Sequence, residues 1–253
     1  MSSYWNTFRG LWLLTWRSRL SWRRWPAQLF AVFFVPLMTV FTISQGNYKG
    51  YYTWTVNIYF LLLIPLYCLL NCGAIIRDEI QSDTLRFLIT RPVKRPVLFL
   101  LKFAAQIIVI EATLLVTGLL LLAAGAWHRV DDLGTFAGWF LMAQFLGVLA
   151  YGSLSALFGL LSPRYWLFGV IYGFVVEIGI GLIPINIHNI SISRHLRTLL
   201  AQEKFFQGDQ YGWTPDGPLF SVFMLLAGTV LFLGLGAALF AWREYHAGTE
   251  MQK

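Results

Sequence analysis

Six stretches of this chain are each apolar for about the ~20 residues that a helix needs to cross the hydrocarbon core of a bilayer. They are residues 27–44, 53–75, 97–124, 136–161, 166–185 and 219–242, with no long polar sequence between them. Lipid offers no partner for backbone N–H and C=O groups, so an apolar run of this length folds as a helix. The charge content agrees, because 12% of the 253 residues are charged, against ~25% in soluble domains. So few charges cannot coat a globule of this size. The expected fold is one all-α domain over residues 1–253, a polytopic membrane helix bundle with six transmembrane helices. The third and fourth runs are joined by only a short polar turn, residues 127–135, and two passes fit this stretch better than one. Pro36, Pro65 and Pro184 lie inside or at the end of runs, where they kink a membrane helix without preventing insertion.

The net charge of +7 is concentrated beside the apolar runs, which points to the membrane surface and away from nucleic acid. Lys and Arg near span ends favour the cytoplasmic side. With a cytoplasmic N-terminus, the inside holds Arg9, Arg17, Arg19, Arg23 and Arg24 before the first span. It also holds Arg77, Arg86, Arg91, Lys94, Arg95 and Lys102 between the second and third, then Arg164, Arg243 and Lys253. The outside holds Lys49, Arg129, Arg194, Arg197 and Lys204. This bias predicts a multi-pass protein of the cell inner (plasma) membrane with both termini cytoplasmic. No small-residue cleavage site follows the N-terminal arginines, so no cleaved signal peptide is expected.

Three segments outside the runs have helical character. Residues 3–23 mix Tyr4, Trp5, Phe8, Leu11 and Trp12 with arginines, which suits a helix lying in the interface or a plain basic anchor. Residues 186–217 form the outer segment between spans five and six. Within it, Leu196, Leu199, Leu200 and Phe205 have near-helical spacing over residues 191–206, and Gly208 is a natural stop. An amphipathic helix on the outer surface is expected there. The third segment reads RDEIQSDTLRFLITRPVKR from Arg77 to Arg95. Leu85, Leu88 and Ile89 make an apolar patch, and Asp78, Glu79 and Asp83 supply early negative charge. Pro92 ends the helix because the residue before a proline is pushed out of α geometry. A short amphipathic helix over residues 77–91, flat on the cytoplasmic face, would dock a partner.

This segment resembles permeases of ABC transporters of the type 2 exporter class. Between their second and third spans these often carry a pattern like E-x-x-x-G-T-L-x-x-L-L-x-x-P-x-x-R. Glu79, Thr84, Leu85, Leu88, Pro92 and Arg95 match it, Asp83 stands where the family usually has Gly, and Ile89 replaces the second Leu. The six-span layout, the N-terminal interfacial helix and the outer segment are similar too. The resemblance implies that residues 77–91 are a coupling helix seated in an ATP-binding subunit, with Glu79, Asp83, Thr84, Leu85, Leu88, Arg91, Pro92 and Arg95 as its contacts. It implies an exporter built from two permease subunits, identical or related, each above an ABC ATP-binding subunit. No lysine here follows a glycine, so no phosphate-binding loop of the G-x-x-x-x-G-K-[ST] type is present. The resemblance therefore implies ATP and Mg in a separate ATPase, no cofactor in this chain, and no enzymatic activity of its own.

Two carboxylates fall near mid-span, Glu111 in the third run and Glu177 in the fifth. A charge at that depth costs at least ~2.5 kcal/mol, so such groups are paired, neutral or facing water. Glu177 continues a four-residue stripe of Gly169, Gly173 and Gly181 that permits close helix packing, and is expected to face protein. Glu111 has Gln106, Thr113 and Thr117 nearby in its own run. Both are candidates for a substrate path or gate; the bland reading is a neutral acid making one interhelical hydrogen bond. Cys68 and Cys72 have the spacing of two soft ligands for Cu(I), but buried thiols of this kind are usually packing groups. His188 and His195 share a face without a third ligand and read as surface histidines. Membrane lipids are expected partners, and an amphipathic or lipid-like substrate fits a lipid-facing bundle. Two other functions compete: a membrane-embedded enzyme using an intramembrane Glu, and a non-transporting anchor for an ATPase.

Overall fold

The computed structural model describes residues 9–10, 12–13, 25–43, 48–75, 77, 94–130, 133–179, 191–201 and 217–242, and its regular structure is helical throughout these residues. The main helices are α1 (Trp25–Thr42), α2 (Lys49–Cys72), α3 (Arg95–Trp127) and α4 (Leu133–Leu161). After them come α5 (Tyr165–Tyr172, running on as a π-helix over Gly173–Gly179), α6 (Ile192–Leu200) and α7 (Pro218–Trp242). Four of these, α2, α3, α4 and α7, are long and apolar enough to cross a membrane. The shorter apolar helices α1 and α5 stand where the first and fifth spans are expected. Helix α3 has 33 residues. At ~1.5 Å per residue it is ~50 Å long, so its ends clear a ~30 Å hydrocarbon core.

Helix α4 is the central pillar. In its most apolar stretch 78% of residues are buried, against 17% for α7. Its own sequence explains this. Ala143, Gly147, Ala150, Gly152, Ser153, Ser155, Ala156 and Gly159 put small residues around much of its circumference, so neighbouring backbones approach closely. Helices α2, α3, α6 and α7 all pack on it. An aromatic ladder joins α2 to α4: Tyr52 meets Phe136 edge-on at 4.5 Å, Phe60 meets Phe140 edge-on at 5.1 Å, and Tyr59 stacks on Phe140 at 5.4 Å. Such offset and edge contacts add to the burial of the rings themselves.

Two helices widen locally. Helix α2 has π geometry over Thr55–Leu63, ending in a bond from the Ile64 N–H to the Tyr59 carbonyl. The next residue is Pro65, which has no N–H and whose ring clashes with the carbonyl four residues back. The wider winding upstream of the proline relieves that clash. Helix α5 has the second such segment, Gly173–Gly179.

The turn between α3 and α4 is a Schellman motif. The Val130 N–H bonds the Gly125 carbonyl and the Arg129 N–H bonds the Ala126 carbonyl. Arg129 sits between them at φ 54, a left-handed position that suits glycine. Arg129→Gly is therefore expected to raise stability by ~1 kcal/mol. An unchanged or lowered thermal midpoint would show that the arginine side chain offsets the strain.

At the far end of α4 the helices meet backbone to backbone. A Cβ at Gly159 would collide with the Gly73 carbonyl oxygen. The buried Arg77 lies beside this crossing, and its Nε donates to the Gly159 carbonyl at 3.0 Å. That carbonyl belongs to the last turn of α4, where no intrahelical donor remains and a cation is favoured. Lys102 of α3 similarly donates to the Ile75 carbonyl at 3.2 Å.

Helix α6 departs from the expected surface helix. It packs against α4 and α7, and Ile192, Ser193, His195, Leu196, Thr198, Leu199 and Leu200 are all buried. His195 is thus corrected from a surface residue to a buried one, 2% exposed, with Nδ1 3.3 Å from the Ser221 hydroxyl. The described helix ends at Leu200, with Ala201 as its C-cap; residues 202–206, and His188, lie outside the described residues. So do most of the interfacial segment 3–23, all of the coupling segment 77–91 except Arg77, and with them Glu79, Asp83, Thr84, Leu85, Leu88, Arg91 and Pro92. Arg95 is described and opens α3, with Pro96 in the first turn, where its missing N–H costs nothing.

Candidate functional site

The two intramembrane carboxylates belong to separate networks. Glu111 of α3 is held from α4, where Gln144 Nε2 donates to its Oε1 at 3.0 Å. The Tyr59 hydroxyl of α2 lies 2.8 Å from Gln144 Oε1 and 2.8 Å from the Leu114 carbonyl. It carries one hydrogen and faces two acceptors. Gly118 makes room for this arrangement, because a Cβ there would come 2.6 Å from Gln144 Oε1. Glu111 Oε2 is buried and has no hydrogen-bond partner among the described residues. The network ties α2, α3 and α4 together at mid-membrane.

The neighbours suggested for Glu111 by its own helix do not supply this contact. Thr113 and Thr117 turn back to the Val109 and Thr113 carbonyls. Its partner is Gln144, a third helix-facing polar group whose significance depends on the register between α3 and α4. Tyr59 was equally hidden among the many aromatic residues of the chain.

Glu177, in the π segment of α5, faces protein as its position predicts. Its Oε1 accepts from the Tyr151 hydroxyl of α4 at 3.2 Å. Its Oε2 accepts from the Ser191 hydroxyl at 2.7 Å and from the Ser193 N–H at 3.0 Å. Ser191 is the N-cap of α6, and its hydroxyl also accepts from the Arg194 N–H at 3.3 Å. The carboxyl group therefore accepts one of the N–H groups that open a helix, the end where negative charge is stabilised. The Ser191-Ile192-Ser193 step before the apolar periodicity is the sequence signal for this cap.

The glycine stripe divides. Gly169 packs so tightly on Leu69 of α2 that a Cβ would push the leucine side chain aside, whereas a Cβ at Gly173 would meet no atom within 4 Å. Gly181 lies outside the described residues. The open space at Gly173 is part of a cavity of about 500 Å³ between α2, α4, α5 and α6. Glu177 lines it together with Asn57, Tyr151, Tyr172, Ser193 and Arg197, while Leu62, Leu66, Leu69, Leu154, Phe158 and Phe174 form the apolar part. Glu111 does not line it. Cys68 and Cys72 lie outside it, fully buried, with the Cys68 thiol 3.8 Å from the Val148 carbonyl. They serve as small packing groups between α2 and α4.

The arrangement is therefore an amphipathic cavity open along one side of an apolar bundle, with a carboxyl group and a guanidinium at one end. A family model described as ABC-2 family transporter protein matches residues 19–191, more than half of the chain. No curated protein matches it.

Proposed function

This chain belongs to the ABC-2 family of transporter proteins, a permease of an ABC transporter, and from that premise we propose that it carries substrate outward under the drive of a separate ATP-binding subunit. ATP and Mg would be bound by that subunit alone. Two permeases, identical or related, would pair, each above one ATPase. In this reading residues 1–253 are a single domain of six spans, with α1 and α5 as the first and fifth. The basic end of the bundle, with Arg77, Lys102 and Arg164, faces the cytoplasm of an inner-membrane protein whose two termini lie on that side.

The observation that carries the reading is how the ends of the 77–95 segment join the bundle. Arg77 is bonded to the end of α4, and Lys102, two turns into α3, is bonded to the end of α2. A push on the segment between them reaches three helices at once. That is what a coupling helix contacting an ATPase through Glu79, Asp83, Thr84, Leu85, Leu88, Arg91, Pro92 and Arg95 requires. Buried apolar anchors dominate docking of this kind. Changing Leu85 and Leu88 together to Asp is expected to abolish co-purification of the ATPase while the permease still inserts. An unchanged complex would sink the coupling assignment.

Glu177 lines the cavity, which in this reading is part of the substrate path. Glu111, bonded across three helices and away from the cavity, acts in this reading as a mid-membrane tie and not as a gate.

A further inference from the structure

We propose that the cavity between α2, α4 and α5 binds one molecule of a single-chain amphiphile, with its tail among Leu66, Leu69 and Phe158 and a net-neutral polar head at Glu177 and Arg197. The permease reading supplies the use of this site in transport; binding itself does not depend on it.

The shape of the cavity is the first argument. Its volume of about 500 Å³ lies within the ~300–1,000 Å³ of small-molecule sites. Both π segments found among the described residues form its walls. Asn57, Ile58, Leu61 and Leu62 come from the one in α2, and Gly173, Phe174 and Glu177 from the one in α5. π segments are rare and concentrate at functional sites. Two of them facing one cavity is a stronger pointer than either alone.

Polarity along the cavity is the second argument. Helices α2 and α4 run towards the Arg77 end, and α5 runs away from it, as the Arg77 and Lys102 contacts require. In that frame Asn57, Tyr151, Glu177, Ser193 and Arg197 gather at the end nearest α6. Leu66, Leu69, Phe158 and Gly169 lie towards the opposite end. A polar head thus sits beside α6 and an apolar tail runs towards the Arg77 end of the bundle.

Charge sets the head group. One carboxylate and one guanidinium line the same end of the cavity. A head with a single net charge meets a like charge from one of them, whereas a zwitterion places each of its charges beside the opposite one.

The test uses the purified full chain in nanodiscs of a two-chain phosphatidylglycerol. The probe is a single-chain phosphocholine with a photoreactive diazirine in its tail, and adducts are mapped by mass spectrometry. The expected result is saturable labelling of the buried cavity residues Leu69 and Leu154, at least ten-fold suppressed by excess unlabelled single-chain phosphocholine. An alkyl trimethylammonium or an alkyl phosphate of equal chain length is expected to compete at least ten-fold less well. Gly173→Leu, placed where a Cβ meets no atom within 4 Å, is expected to remove cavity labelling and leave the exposed Val230 of α7 labelled as before. Labelling at Leu69 that is as unsaturable as at Val230 would show bulk lipid only and overturn the proposal. Equal competition by the charged amphiphiles overturns the head assignment. The wild-type competition alone decides if the variant does not fold. ATP-driven export without saturable binding would remove this site and leave the permease reading standing. Binding without export would do the reverse.

Discussion

Gly159→Ala is expected to lose most of the correctly assembled protein, although it adds one methyl group. The new Cβ would fall on the Gly73 carbonyl oxygen, which is backbone and cannot swing aside as a flexible side chain can. Overpacking against side chains already costs ~1–3 kcal/mol, and this position lacks that freedom. Separating the ends of α2 and α4 would also break the bond from Arg77 to the Gly159 carbonyl, leaving a buried guanidinium short of an acceptor. Together these losses are ~4 kcal/mol, a large part of the ~5–15 kcal/mol that holds a domain folded. Gly138 on the same helix is the control. A Cβ there meets nothing within 4 Å, so Gly138→Ala should behave as wild type. Recovery of monodisperse protein in mild detergent, with its thermal midpoint, reads both. Wild-type recovery of the Gly159 variant would mean that the two helices do not cross as closely as described.

The contrast between these glycines marks the limit of what the sequence reveals. Both lie in one apolar run and look alike as letters. Helix positions were legible because burial in lipid requires long unbroken apolar runs, and each expected span overlaps a helix of the structure. The all-helical character and the turn at residues 127–135 were legible for the same reason. Contacts between helices were not, since they depend on rotation about each axis. Gln144 partners Glu111 only because α3 and α4 meet in one particular register. Helix α6 was legible as a helix from Leu196, Leu199 and Leu200, but its polar residues suggested a wet face. In the structure Ser193, His195 and Thr198 are buried instead, because α4 and α7 close around them. The widening of α2 beside Pro65 had a visible cause, whereas that of α5 carries no comparable signal in its residues. The coupling motif was the most specific sequence pattern, and its central residues lie outside the described ones.

Glu177 is where fold and function separate most cleanly, because two substitutions act on different properties of one group. Glu177→Ala removes the acceptor for the Tyr151 hydroxyl, the Ser191 hydroxyl and the Ser193 N–H. Each buried donor left unpaired costs ~1–3 kcal/mol, so the loss is ~3 kcal/mol or more and the N-terminus of α6 comes loose from α5. Glu177→Gln has nearly the same shape and keeps one acceptor oxygen. With that oxygen towards Ser191 and Ser193, the amide nitrogen faces the Tyr151 hydroxyl, which can accept as well as donate. The Gln variant should therefore assemble, with its thermal midpoint near that of the wild type. What it lacks is the negative charge, which leaves Arg197 as the fixed charge at the polar end of the cavity. ATP-driven export by the reconstituted complex is then expected to fall at least ten-fold, while ATPase co-purification is unchanged. Normal export by the Gln variant would leave Glu177 a structural cap for α6. Equal loss of folding in both variants would show that the charge itself, and not only the hydrogen-bond acceptors, holds α5 against α6.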